Sequence, residues 1–198
     1  VVDLGQKVAT FLVPLGLWLG AIATFLVLGR SSAQALASSA PDGRLVGRML
    51  GRASSIAVAQ ALLLVALLHL VVGVDWSSLP ATATLAVVMA LAFTAFHQLM
   101  TLAFGRGGLV VSLLLLAAQV ASTGGLYPVE VLTTPFQVLS PVLPLTYAVD
   151  GMQAILSGGA SWALPVIVLA GFGGLSALLS LVVMRRSRTP RTLSPTFA

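Results

Sequence analysis

Five long stretches of the chain contain no Asp, Glu, Lys or Arg, and each is long enough to cross a lipid bilayer as a helix. They run from about 10 to 28, 55 to 74, 81 to 104, 109 to 127 and 162 to 184. About 20 apolar residues span the hydrocarbon core as a helix, and a helix satisfies its own backbone hydrogen bonds there. The sequence therefore predicts an all-α integral membrane protein, with five transmembrane helices in one domain over residues 1–198.

Composition excludes several classes of function. Charged residues make up 8% of the chain, against roughly a quarter in globular proteins, so most of the surface must face lipid. The net charge of +5 comes from basic residues at the ends of the apolar stretches, which indicates membrane topology and not nucleic-acid binding. The chain has no cysteine, no phosphate-binding loop and no zinc-protease motif. We therefore expect no enzymatic activity, no metal and no cofactor.

The positions of the charged residues predict the orientation. If the five stretches alternate in direction, one side of the membrane receives nine arginines, which are Arg30, Arg44, Arg48, Arg52, Arg106, Arg185, Arg186, Arg188 and Arg191. Since basic residues accumulate on the cytoplasmic side, we expect a multi-pass plasma-membrane protein with a cytoplasmic C-terminus. Five spans then place Val1 outside, so we also expect a further span upstream of this chain.

Residues 43–52, between the first two apolar stretches, have the pattern of an amphipathic helix with a basic face. The residues that form this pattern are Arg44, Arg48, Arg52, Leu45 and Met49. Such a helix either anchors the topology by extending its arginines to the anionic inner leaflet or docks a cytoplasmic partner. Membrane lipids are its expected partners in the first case.

The stretch at about 129–157 is apolar, but prolines prevent it from forming one continuous helix. The residues that define it are Pro128, Pro135, Phe136, Pro141, Pro144 and Tyr147. One short helix is expected to begin at Pro135, and a second is expected over residues 146–156, ending at glycines. The pair is interpreted as an extracellular re-entrant helical hairpin or, alternatively, as two amphipathic helices lying flat on the membrane surface.

A few side chains within the apolar stretches can form hydrogen bonds. The main candidates are His97, Gln98 and Gln119, since a polar residue at membrane depth is a functional hypothesis by default. The alternative is that each contacts a neighbouring helix, as single polar residues in bundles commonly do. We favour the second interpretation for all three.

Several segments together resemble one family. They are residues 96–98 (FHQ), 104–108 (FGRGG), 119–128 (QVASTGGLYP), 135–137 (PFQ) and 140–151 (SPVLPLTYAVDG). This pattern resembles the C-terminal membrane domain of the YhgE/Pip (phage infection protein) family, which is related to the permeases of type-2 ABC exporters. The chain departs from the family at Gln153, where a basic residue is common.

The resemblance implies features that composition does not indicate. It implies an upstream span and a large extracellular domain, a coupling-type helix at residues 43–52 that meets a separate ATPase, and a homodimer. The function expected is then that of a membrane permease-like subunit of an ABC-2-type export system. The alternative is a non-transporting YhgE/Pip-type anchor or receptor for an extracellular domain, such as a secretion-system component or a phage receptor.

Overall fold

The computed structural model describes residues 4–36, 40–123, 134–158 and 161–188. Helices dominate these residues, with short 3-10 turns at Trp76–Ser78 and Ser140–Val142. The α-helices are α1 (Leu4–Leu36), α2 (Asp42–Leu70), α3 (Leu79–Phe104), α4 (Gly107–Ser122), α5 (Thr134–Leu139), α6 (Pro144–Ser157) and α7 (Ala163–Arg188).

Four segments are long and apolar enough to cross a membrane. They are Val8–Leu28 in α1, Asp42–Leu70 in α2, Trp76–Phe104 around α3, and Ala163–Ser187 in α7. The predicted fourth span differs, because α4 has 16 residues and is therefore about 24 Å long, against a hydrocarbon core of about 30 Å. Residues 124–127 of that predicted span lie outside the described residues.

The basic segment at residues 43–52 differs from the expected separate helix. It is the first part of α2, which begins after Pro41 and continues without a break to Leu70. No proline interrupts residues 42–70, so a helix that starts in the basic segment has no steric reason to stop before the span. The glycines in this segment are tolerated within the helix.

α3 lies at the centre of the bundle and contacts α1, α2, α4, α6 and α7. Side chains on most faces of α3 are buried, and Leu85, Met89 and Phe93 are fully buried. The contact with α7 is close because Gly173 lies against the backbone of Ala92. A helix that is hydrophobic all round is expected in such a position.

The chain forms two short helices in the proline-broken stretch, α5 and α6. Pro144 is the first residue of α6, where its missing N–H costs nothing, and Gly158 follows the helix with a φ of +68°, the left-handed conformation that commonly ends helices. Pro135 and Phe136 belong to α5, and Pro128 lies outside the described residues. Insertion of this pair into the bilayer stays a prediction.

Candidate functional site

One end of the bundle, here called the arginine end, is formed by the start of α2, the turn between α3 and α4, and the end of α7. These parts are joined by a small apolar cluster in which Leu45, Val46 and Met184 are buried and Met49 is half-buried. The apolar face of the basic segment therefore packs on protein. The exposed arginines of this end are Arg44, Arg48, Arg52, Arg106, Arg185 and Arg186.

The length of α2 determines how its arginines are presented. Its 29 residues form a helix of about 44 Å. This length exceeds a hydrocarbon core of about 30 Å, and Arg44 lies about 12 Å from Arg52 along the helix axis. The arginines form an exposed stripe on the first part of a continuous helix.

Gln98 ties the basic segment of α2 to the centre of the bundle. Its Nε2 donates to the backbone oxygen of Val46 at 3.2 Å, between Arg44 and Arg48 in the sequence. The side chain of Gln98 is 1% exposed, and its Oε1 has no hydrogen-bond partner. This contact holds the basic segment against α3.

His97 joins α3 to α4. Its Nδ1 lies 2.6 Å from the backbone oxygen of Phe93, and its Nε2 lies 2.6 Å from the hydroxyl of Ser112. Because a carbonyl only accepts, Nδ1 must carry the hydrogen, and Nε2 then accepts from Ser112. Both nitrogens of a neutral imidazole are thus used, Nδ1 within α3 and Nε2 in the contact between α3 and α4.

An aromatic cluster surrounds this histidine. The ring of Trp18 in α1 lies 5.0 Å from His97, 4.9 Å from Phe93 and 5.4 Å from Phe96, centroid to centroid. Trp18 is fully buried, and its indole N–H has no hydrogen-bond partner. The cluster packs α1 against α3 beside the polar contact.

Gln119 joins α4 to α6. Its Oε1 accepts a hydrogen bond from the backbone N–H of Leu145 at 3.1 Å. This N–H belongs to the first turn of α6, where backbone donors lack partners within the helix, so Gln119 caps α6 from another helix. The Nε2 of Gln119 is buried and has no partner. Tyr147 stabilises the same region by donating from its hydroxyl to the oxygen of Pro141 at 2.8 Å.

Ser112 was not singled out from the sequence. Serine is common in membrane helices because its hydroxyl can bond to its own backbone, so its type carries little signal. Its partnership with His97, 15 residues earlier, depends on the packing of α4 on α3. A serine opposite a predicted membrane histidine is the signal that could have found it.

A groove of about 500 Å³ lies between the start of α1 and the end of α2. Its walls carry no side chain that can form a hydrogen bond, so hydrocarbon is what its chemistry suits. The lining residues are Gly5, Val8, Ala9, Leu12, Val13, Leu64, Leu67, Leu68, Val71 and Val72.

Ionic chemistry is sparse in the described parts of the chain. Across those residues, no group of three His, Cys, Asp or Glu side chains could hold a metal ion. Asp75 precedes the 3-10 turn before α3, and the hydrogen bond donated by the backbone N–H of Ser77 at 2.7 Å keeps the pKa of its carboxyl below the usual value. The role of Asp75 there is to cap a turn.

Long apolar helices joined by buried polar contacts define an all-helical membrane protein. The chain is similar to a protein described as the uncharacterized protein YhgE of Bacillus subtilis (strain 168), with 29% identity over 104 residues. The match covers 52% of this chain and 13% of the relative, so the chain spans a small part of that protein's length. No family model matches. The similarity supports a YhgE-like relationship and fits a membrane protein of the YhgE/Pip kind.

Proposed function

We propose that this chain is the permease-like membrane subunit of an ABC-2-type export system, driven by an ATPase on a separate chain. The observation that carries the proposal is the stripe of exposed arginines on the first part of α2, whose apolar face packs on the bundle. The proposal places the arginine end in the cytoplasm of a plasma-membrane protein, in agreement with the positive-inside rule.

The packing of the arginine end supports a protein partner, because the apolar face of the basic segment already lies on protein. Arg44 and Arg48 are exposed one turn apart, so an acidic protein surface can meet both. The Gln98–Val46 contact holds this segment to the interior, so a force applied to the stripe reaches α3. The permease acts as a homodimer in this proposal, and its substrate is lipid-like, a class that the apolar groove between α1 and α2 suits.

A second candidate function is a non-transporting YhgE/Pip-type membrane anchor or receptor for an extracellular domain. The observation that favours it is the tight centre of the bundle, where Leu85, Met89 and Phe93 of α3 are fully buried. An anchor needs no ATPase, so the partner distinguishes the two functions.

The test is co-purification of an ATPase with the membrane protein. We expect an ATPase to be retained by the wild-type protein and lost from the triple variant Arg44→Glu, Arg48→Glu and Arg52→Glu. The matched control replaces the same three arginines with lysine, which keeps the charge and retains the partner. Unchanged gel-filtration profiles of all three proteins show that folding is preserved. Absence of an ATPase from the wild type would favour the anchor.

A further inference from the structure

α4 packs on the bundle through one narrow face. Its buried residues lie along a single stripe, whereas Leu113 and Leu114 on other faces are exposed. Two members of the stripe, Ser112 and Gln119, form hydrogen bonds to other helices. They are separated by seven residues, which is about two turns or 10 Å along the helix. The complete stripe is Gly108, Leu109, Ser112, Leu116, Gln119 and Ser122.

The two polar contacts of α4 lead to different parts of the molecule. Ser112 bonds to His97, and the next residue in α3, Gln98, bonds to Val46 in the arginine-bearing part of α2. Gln119 bonds to Leu145 at the start of α6. A line of contacts therefore runs from the arginine end to α6, in which three hydrogen bonds are connected by the helices α3 and α4 themselves.

In each of the two glutamines of this line, only one of the two polar amide atoms forms a hydrogen bond. Gln98 Oε1 and Gln119 Nε2 are buried and have no hydrogen-bond partner, although an amide group can both accept and donate. A buried polar atom without a partner is unfavourable, and each such atom in a native protein requires an explanation. Gln119 belongs to α4, so a second arrangement of α4 in which its Nε2 finds a partner would explain that atom.

We propose that α4 is a two-position coupling helix that links the arginine end to α6. In the described position the His97–Ser112 and Gln119–Leu145 contacts are both formed. Moving the basic segment of α2 shifts the first contact, and α4 carries the shift as a rigid helix to the second. This coupling goes beyond the proposed transport function, because it holds equally for a permease and for an anchor.

The experiment measures how accessible a thiol beside α6 becomes when the His97–Ser112 contact is removed. The chain has no cysteine, so Ser140→Cys introduces a single thiol at a position that is 4% exposed and that contacts Thr146 of α6. Its reaction rate with a soluble maleimide is measured in lipid nanodiscs, where both membrane faces are accessible. In that background, Ser112→Ala is expected to raise the labelling rate by about 2- to 30-fold, the range that coupling free energies of this kind give.

The matched control is Ser176→Ala in the same background. Ser176 is a buried serine of α7 that bonds only within its own helix, to the oxygen of Phe172 at 2.8 Å. We expect this variant to leave the labelling rate at position 140 unchanged. An equal rise for both variants would show general loosening and overturn the proposal, as would no rise for Ser112→Ala.

A double variant tests whether α4 carries the effect. Gln119→Leu releases α6 directly, so adding Ser112→Ala to it should produce no further rise in labelling. Multiplication of the two effects would mean that the contacts act independently, and the proposal would fail. Gln98→Met, which removes the amide at the far end of the line, provides a second variant, and an unchanged labelling rate there would exclude the arginine end from the coupling.

Discussion

Gln60 of α2 donates a hydrogen bond from Nε2 to the backbone oxygen of Gly16 in α1, at 3.0 Å. The amide lies directly against Gly20, where a β-carbon would overlap it. Gly16 and Gly20 are one turn apart, and the missing side chain of Gly20 allows Gln60 to reach the backbone of the neighbouring helix. The pair therefore forms a polar contact site between α1 and α2.

Gly20→Ala is expected to break this contact, because the added methyl group displaces the Gln60 amide. The expected cost is about 0.6 kcal/mol and at most about 1.7 kcal/mol, as for other hydrogen bonds between membrane helices. It is measured by unfolding in a detergent titration. Gly16→Ala is the control, since its β-carbon would meet only Leu64, at an ordinary 3.7 Å. In a Gln60→Leu background, a full additional cost for Gly20→Ala would contradict this account.

Gly173→Ala is expected to separate α3 from α7. An added β-carbon would lie 2.8 Å from the Cα of Ala92, and backbone cannot rotate away as a side chain can. Overpacking of this kind costs about 1–3 kcal/mol. Gly174→Ala, one residue further, meets nothing within 4 Å and should leave the melting temperature unchanged. Equal melting temperatures for the two variants would show that the helices are not in close contact at Gly173.

Trp18→Ala is expected to be strongly destabilising, by about 3–5 kcal/mol, as for other large-to-small changes in cores. Trp18→Phe should cost much less, because it keeps an aromatic ring against Phe93 and Phe96 and removes an indole N–H that has no partner. The free energy of unfolding distinguishes these outcomes. Leu19→Ala, at the adjacent position that is 43% exposed, is the control and should have little effect.

A cysteine at Val138 tests the re-entrant placement of α5. The side chain of Val138 is 67% exposed on the protein surface, so its surroundings are either lipid or water. Within the bilayer, Val138→Cys should react slowly with a membrane-impermeant thiol reagent. Ser77→Cys, in the exposed turn before α3, supplies the rate of an aqueous position. Equal rates at the two positions would place α5 outside the hydrocarbon.

A reporter fused after Ala198 tests the orientation. The arginines at the end of α7 predict that this fusion lies in the cytoplasm, so a reporter that is active only in the cytoplasm should give signal. The matched fusion after Val74, between α2 and α3, should be silent with the same reporter. The reverse result would place the arginine end outside and remove the basis of the proposed ATPase contact.

The long helices were predictable from sequence because lipid leaves few alternatives. An uncharged apolar stretch must satisfy its backbone internally, so α3, expected over residues 81–104, forms over Leu79–Phe104. The continuity of α2 through the basic segment was not predictable in the same way. A change from polar to apolar residues suggested two elements, whereas α2 passes through the change without interruption, because hydrophobicity marks the membrane boundary and not the end of a helix.

The polar residues, too, were predictable from the sequence only in part. Their depth in the membrane singled out His97, Gln98 and Gln119, but not their partners. Gln98 bonds across 52 positions to Val46, and Gln119 across 26 positions to Leu145. The oxygen of Val46 and the N–H of Leu145 are backbone groups, which nearly every residue carries. The side-chain type of the partner therefore gives no indication of the contact.

The five uncharged stretches, with which the sequence began, determined by themselves that this is a helical membrane protein with its arginines gathered at helix ends. The reason is that transfer of backbone and charge into hydrocarbon is so unfavourable that composition alone decides it. Tertiary structure decided that α4 is shorter than a full span, that the arginine stripe is continuous with the span of α2, and that Ser112 and Gln119 join three helices. Those outcomes depend on which helix faces pack together, and packing between apolar helices is set by shape and by single hydrogen bonds.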